Sequence, residues 1–313
     1  MRSASGQISP RQLGALALTA AGLPIFRLCC RISWPWVLLG GLAAAGTLSA
    51  LTAIMNRRRA KAFPSKAFPS KAFPLRGRWP SAHTGPDEVV PDQRTGCRIE
   101  LALVPFLLIA ALLAAWETTY SFPETAENLL TAALVLALSA AAAFHGPAAA
   151  GRCASILLWV TGALYGTVLV FSLRSLRIEW LVPAGEPLDA GKVWAALALP
   201  GAALCLAPAL PGERRLPHWP WWASAGLAAA ASVVTGGILS PALAREPEAF
   251  RTLARGVSVL GVIRRFEALV NGALLMSGFA LCTLYLVAFS SVSGIYSRLE
   301  KVQKKFEKSQ KKC

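Results

Sequence analysis

VWAALALPGAALCLAPALP, running from Val193 to Pro211, is apolar and long enough to enter a lipid bilayer, yet Pro200-Gly201 falls near its middle and Pro208 follows. A proline inside a helix removes a backbone donor, and its ring clashes with the preceding turn. In hydrocarbon no water satisfies the freed groups, so interrupted helices at membrane depth line a cavity. A break is therefore expected in this helix. The first apolar segment, Leu13 to Cys30, carries a similar interruption at Gly22-Leu23-Pro24. Two Gly/Pro-interrupted spans, each opening a run of about five segments, point to an inverted-repeat transporter architecture with its ligand between the breaks. The alternative is plain packing, since proline and glycine are frequent in membrane helices generally.

Of the 313 residues, 55% are hydrophobic and 15% charged, a balance that excludes an ordinary soluble domain of this length. Apolar windows near the roughly 20 residues that span a bilayer fall at 13–30, 34–55, 101–120, 126–144, 153–173, 193–211, 219–240 and 267–289. They predict an all-α polytopic membrane protein with about eight transmembrane helices. No A-x-A site closes the first window and a second follows at once, so the first is expected to remain as a helix rather than be cleaved. In a soluble protein the net charge of +16 would suggest nucleic acid. Here the cations lie in loops and tail, so anionic lipid is the expected partner and nucleic acid is not. Seven cysteines without a CxxC pair support neither a disulfide framework nor a zinc site.

The organisation follows. Residues 1–56 hold two spans, 57–98 form a basic proline-rich loop, 99–296 hold six more spans, and 297–313 form a basic tail. The 57–98 loop carries ten Lys/Arg against three acids and a pentapeptide repeat, KAFPS, KAFPS, KAFPL, from Lys61 to Leu75. Proline at every fifth position precludes regular helix or sheet, and leaves either a patch for the anionic leaflet or a tolerated insertion. With both termini cytoplasmic, 22 of the 32 Lys/Arg fall inside, as the positive-inside rule favours. Glu248 to Arg265 reads as an interfacial helix on the outer side, with an apolar stripe through Leu253, Val257 and Leu260. Arg265 and Glu267, at the start of the last span, are expected to form a structural ion pair, or else to snorkel to the interface. Trp219, Trp221 and Trp222 read as an interface belt.

No HExxH, Walker loop, GxSxG or dinucleotide fingerprint occurs, and His83, His145 and His218 lie in separate loops. No catalytic residue, metal ligand or cofactor is expected, and the protein is not expected to be an enzyme.

Several stretches, in order, resemble the B-subunit family of spore-germination nutrient receptors, the GerAB-type proteins of the amino acid, polyamine and organocation transporter superfamily. They are Ile8-Ser9-Pro10-Arg11-Gln12-Leu13; Glu124-Thr125 with Gly146 and Gly151-Arg152; Leu181-Val182-Pro183; and Leu253-Ala254-Arg255 with Arg265-Phe266-Glu267-Ala268-Leu269 and Tyr285. Ala126 and Ala148 stand where the family patterns have proline and glutamate, and Ala202 where many relatives have an acid. The resemblance implies a LeuT-like architecture with broken first and sixth helices; against its ten spans, the last two are expected to be missing. It also implies a membrane-embedded germinant receptor subunit in a spore inner membrane or cell membrane, with A and C subunits as partners and a small amino acid as ligand. Ala21, Gly22, Pro24, Leu199, Pro200 and Gly201 are the expected ligand-binding residues, because helix-end amides suit a carboxylate. An amino acid secondary transporter and a non-functional truncated remnant are the alternatives. No carboxylate lies deep in any span, which weighs against proton-coupled transport.

Overall fold

Ser9 begins the first helix with a reciprocal pair of bonds: its hydroxyl accepts from the Gln12 amide at 3.2 Å, and the Gln12 side chain accepts from the Ser9 amide at 2.9 Å. Pro10 occupies the first helical position, where a missing N–H costs nothing. The computed structural model describes residues 8–62, 94–119, 125–181, 188–206, 216–239, 243–246, 248–256 and 266–292. Among these residues all regular structure is helical: α1 (Pro10–Arg27), α2 (Trp34–Ala62), α3 (Arg94–Thr119), α4 (Thr125–Phe144), α5 (Pro147–Ser172), α6 (Leu188–Leu206), α7 (Trp219–Ile238), α8 (Ala249–Gly256) and α9 (Phe266–Val292), with short 3-10 turns between some of them.

Among the described residues six helices, α1, α2, α5, α6, α7 and α9, are long and apolar enough to cross a membrane. The described residues are thus all-helical, as in a polytopic membrane protein. In the other two expected spans, α3 and α4, the described residues include the shorter apolar stretches Pro105–Thr119 and Asn128–Phe144.

Neighbouring contacts fix the direction of each helix. The first turns of α1 and α5 meet at Ile8 and Gly151, and their outer parts at Phe26 and Tyr165, so the two run parallel. Gly14 meets Trp219, and Ile32, just past the end of α1, accepts from Ser232 at 2.6 Å, so α7 runs with them. Against these run α2, with Gly41 on Ala225 and Thr52 on His218 of the α7 end, and α6, whose Ala190 and Gly201 meet Gly40 and Leu48 of α2. Thr118 on Gly278 and the Cys282 thiol on the Ala111 carbonyl set α3 antiparallel to α9.

At the centre stands α1, against α5, α6, α7 and α9. Leu13 to Ala17 and Thr19 to Leu23 are buried without interruption, as an all-round apolar helix requires. On the periphery, Leu130 is 72% and Trp159 82% exposed, surfaces suited to acyl chains rather than water.

Three expectations are corrected. The helix does not break at Gly22-Leu23-Pro24: α1 continues through Pro24 to Arg27. Pro24 lies within the last turn, which the Leu28 amide closes on the Pro24 carbonyl at 2.9 Å. Nor does α6 break at Pro200-Gly201, since it runs on to Leu206. A proline deletes one bond of the ladder, whereas abandoning the helix in hydrocarbon would expose several polar groups, so continuity costs less. The ends of 57–98 are also helical, α2 reaching Ala62 and α3 starting at Arg94. Before Pro64 the chain holds only arginine, alanine, lysine and phenylalanine, which sustain a helix. The KAFPS repeat from 63 onward, Pro208 and the basic tail lie outside the described residues.

Candidate functional site

Gly22 leaves a notch on α1 into which α9 fits, because a Cβ there would sit 2.7 Å from the Ser277 hydroxyl. Ser277 in turn hydrogen-bonds the Tyr165 hydroxyl at 3.0 Å. Both residues are buried, Tyr165 at 3% and Ser277 at 0% exposure, so each hydroxyl satisfies the other where no water reaches. Phe26, one turn beyond Gly22, stacks on the Tyr165 ring at 3.9 Å between centroids, and Phe250 of α8 lies 4.4 Å from Phe26. A polar centre at Gly22 is thereby covered by three packed rings drawn from α1, α5 and α8.

Ionic contacts hold α8 in this position. Arg251 pairs with Glu248 at 3.0 Å and with Glu267 at the head of α9, and Arg255 reaches both Glu267 oxygens at 2.6 and 2.9 Å. Hydrogen bonds from Arg255 to the Glu267 carboxylate hold that guanidinium above its ordinary range. Glu267 was expected to pair with Arg265. Among the described residues its partners are Arg251 and Arg255; Arg265 lies outside the described residues. A turn of helix with cations at positions 251 and 255 presents both to one acceptor. Of the expected interfacial helix at 248–265, residues 249–256 are helical and 257–265 lie outside the described residues.

Beside this centre lies a cavity of about 580 Å³, lined by Leu23, Pro24, Arg27 and Leu28 of α1 and its end, Arg31 of the next turn, Ala114 and Glu117 of α3, and Leu281 of α9. Its floor is apolar, with Leu23, Ala114 and Leu281 all buried. Its rim is charged. Arg27 pairs with the Glu117 carboxylate at 2.7 Å and also donates to the Glu117 carbonyl, one of those that the end of α3 leaves without a helical partner.

The expected ligand residues divide between two places. Ala21 and Gly22 are buried in α1, and Pro24 lines the cavity. On α6, Pro200 and Gly201 are buried while the Leu199 side chain is 47% exposed on the outside of the bundle. Gly201 faces α2 and α7, where a Cβ would meet Leu48 at 2.6 Å and Trp221 at 3.0 Å. Gly22 faces α5 and α9 instead, so the two interruptions do not open onto one shared pocket. Trp221 is also not part of an interface belt: it is buried at 4%, whereas Trp219 and Trp222 are about half exposed.

Other polar contacts pin the opposite end of the bundle. Asn56 accepts from the Leu216 amide at 2.8 Å and donates to its carbonyl at 3.2 Å, and Thr52 shares a 2.7 Å bond with His218. Among the described residues no group of three or more His, Cys, Asp or Glu could hold a metal ion. The sequence pointed to neither the Tyr165–Ser277 pair nor the role of Phe250. A lone tyrosine inside an otherwise apolar span was the available signal for the first. Arg27 and Glu117 were visible as charges at the same end of two parallel spans, which is sufficient grounds to pair them.

No family model matches the sequence, and no curated protein matches it.

Proposed function

We propose that this chain is the membrane-embedded, nutrient-sensing subunit of a spore germinant receptor, with a LeuT-like arrangement of eight crossings and a small amino acid as its signal. The observation that carries the proposal is the buried hydroxyl pair of Tyr165 and Ser277 seated on Gly22 under the Phe26–Tyr165–Phe250 cover. A buried polar centre closed by a separately tethered short helix supplies what a ligand-operated membrane protein needs, an element whose packing responds to binding nearby. The opposite directions of α1 and α6 support an inverted relation between the first helices of two five-helix repeats. The resemblance of the opening Ile8-Ser9-Pro10-Arg11-Gln12 and the later Leu253-Ala254-Arg255 segments supports the family, and with it A and C subunits as partners.

In this role both termini are cytoplasmic, the basic 57–98 segment meets the anionic leaflet, and α8 faces the opposite side. Deleting the gene is expected to abolish germination in response to one or a few amino acids, restored by a copy expressed in trans. Normal germination to every amino acid would overturn the proposal. The transporter alternative predicts gradient-dependent amino acid uptake in proteoliposomes. The remnant alternative predicts no phenotype and no binding.

A further inference from the structure

We infer that the turn following α5, at Arg174 and Arg177, is a binding site for the phosphate headgroup of an anionic phospholipid. The inference goes beyond the proposed function and does not depend on it, since the site uses no residue of either helix interruption. The apolar crossing of α5 runs from Pro147 to Ser175, so the two arginines stand where hydrocarbon gives way to headgroups. One 3-10 turn, Leu173–Ser175, ends the crossing and a second, Ile178–Trp180, follows it. The backbone between them is fixed to the bundle. Leu176 packs on Gly237 of α7, where a Cβ would stand 3.1 Å away, and the Arg177 amide donates to the Gly237 carbonyl at 2.7 Å. Beyond the second turn, the Trp34 indole donates to the Leu181 carbonyl at 3.2 Å. Leu176 is turned inward, and Arg174 and Arg177 on either side of it are exposed.

Among the described residues neither guanidinium forms an ion pair, even with Glu179 of the same turn. Arg177 lies over the Trp180 ring, 4.7 Å from its centroid, which steadies the side chain while leaving N–H donors for another acceptor. Guanidinium forks match phosphate oxygens in pairs. The same stretch also exposes Val170, Leu173 and Ile178, the last at 78%. A free anion would leave these apolar side chains uncovered. A phospholipid meets both needs, with its phosphate on the arginines and its acyl chains along the apolar face of α5. Two cations against one carboxylate favour a lipid of net negative charge, because the ammonium of phosphatidylcholine adds to an existing positive excess. The fixed backbone lowers the ordering cost of binding. It also distinguishes this turn from the basic 57–98 segment, which belongs to the other end of the bundle.

The test places a photoreactive p-benzoylphenylalanine at position 178 of the full chain. Nanodiscs hold equal amounts of phosphatidylglycerol and phosphatidylcholine with the same acyl chains, and the ratio of the two lipids crosslinked is read. Position 178 reports on this turn alone. Phosphatidylglycerol is expected to be favoured at least about fivefold, as for the attraction of one arginine near an anionic surface. Arg174→Gln and Arg177→Gln should each lower the ratio, and together abolish the preference. Arg174→Lys with Arg177→Lys, which keeps both charges and loses the forks, should retain part of it. Glu179→Gln should raise the ratio, which a purely structural role for the turn would not do. Equal crosslinking of the two lipids, or a preference that survives the paired Gln substitutions, would overturn the inference. So would loss of the preference on adding inorganic phosphate at constant ionic strength, because the arginines would then hold a free anion. Germination is not read in this experiment, so failure of the receptor proposal leaves the lipid site standing.

Discussion

The hydroxyl of Tyr165 lies 3.0 Å from that of Ser277, a bond between α5 and α9 that closes over the bare backbone of Gly22 in α1. Three helices meet there with no room for a further carbon. Gly22→Ala is expected to destabilise the protein by about 1–3 kcal/mol, the usual cost of overpacking, because the new Cβ would stand 2.7 Å from the Ser277 oxygen. Thermal unfolding in detergent measures it. Adding Ser277→Gly should recover part of the loss; if the double variant is no better than Gly22→Ala, the contact does not set the cost.

Tyr165→Phe removes one partner of the pair and keeps the ring that stacks on Phe26. The expected loss is about 1–2 kcal/mol, the cost of leaving a buried hydroxyl unsatisfied. Ser277→Ala should cost a comparable amount, and the two together less than their sum, since the second change removes a group the first had already orphaned. Additive losses in the double-mutant cycle would show that the hydroxyls do not couple.

Glu267 is the shared acceptor for Arg251 and Arg255, so it governs the seating of α8. Glu267→Gln is expected to raise hydrogen exchange across residues 249–256 and to expose Phe250 to a thiol reagent in a Phe250→Cys background. Arg255→Gln should do so less, because that side chain is 56% exposed and screened by water. Unchanged exchange in Glu267→Gln would mean that apolar packing alone holds α8.

Because α6 is helical on both sides of Pro200, replacing that proline gives the Ala196 carbonyl a donor. Pro200→Ala is expected to stabilise by about 1–3 kcal/mol, up to the helix-interior penalty of proline, read as a rise in unfolding temperature. A fall would mean that the ring packs too well against its buried surroundings to be spared.

The sequence disclosed much of the architecture and little of the site. Apolar windows located the long helices to within about two turns at either end because hydrocarbon thickness leaves so little choice of length. Ser9 and Gln12 announced the start of α1 through a local motif that needs no tertiary context. Pro24 and Pro200 misled for the converse reason: a proline's cost is local, but whether the helix survives it depends on what ending the helix would expose. Trp221 misled because three tryptophans in four positions look alike in composition, whereas helical rotation turns one inward and leaves Trp219 and Trp222 outside. Tyr165 and Ser277 are 112 residues apart, and no periodicity joins residues at that separation. Glu267 was singled out correctly as an ion-pair residue, and its partners lay on a helix whose docking only the fold determines.

The enclosed position of α1 bears on biosynthesis. α1 is made before the helices that wall it in on several sides, so it must wait in the bilayer with its inner faces turned to lipid while those neighbours are still being made. Closure comes only with α9, whose Ser277 and Gly278 key into the notch at Gly22 and against Leu23. Maturation of this bundle is therefore a process of wrapping around a helix made earlier than the neighbours that enclose it, with α9 the last of those neighbours to arrive.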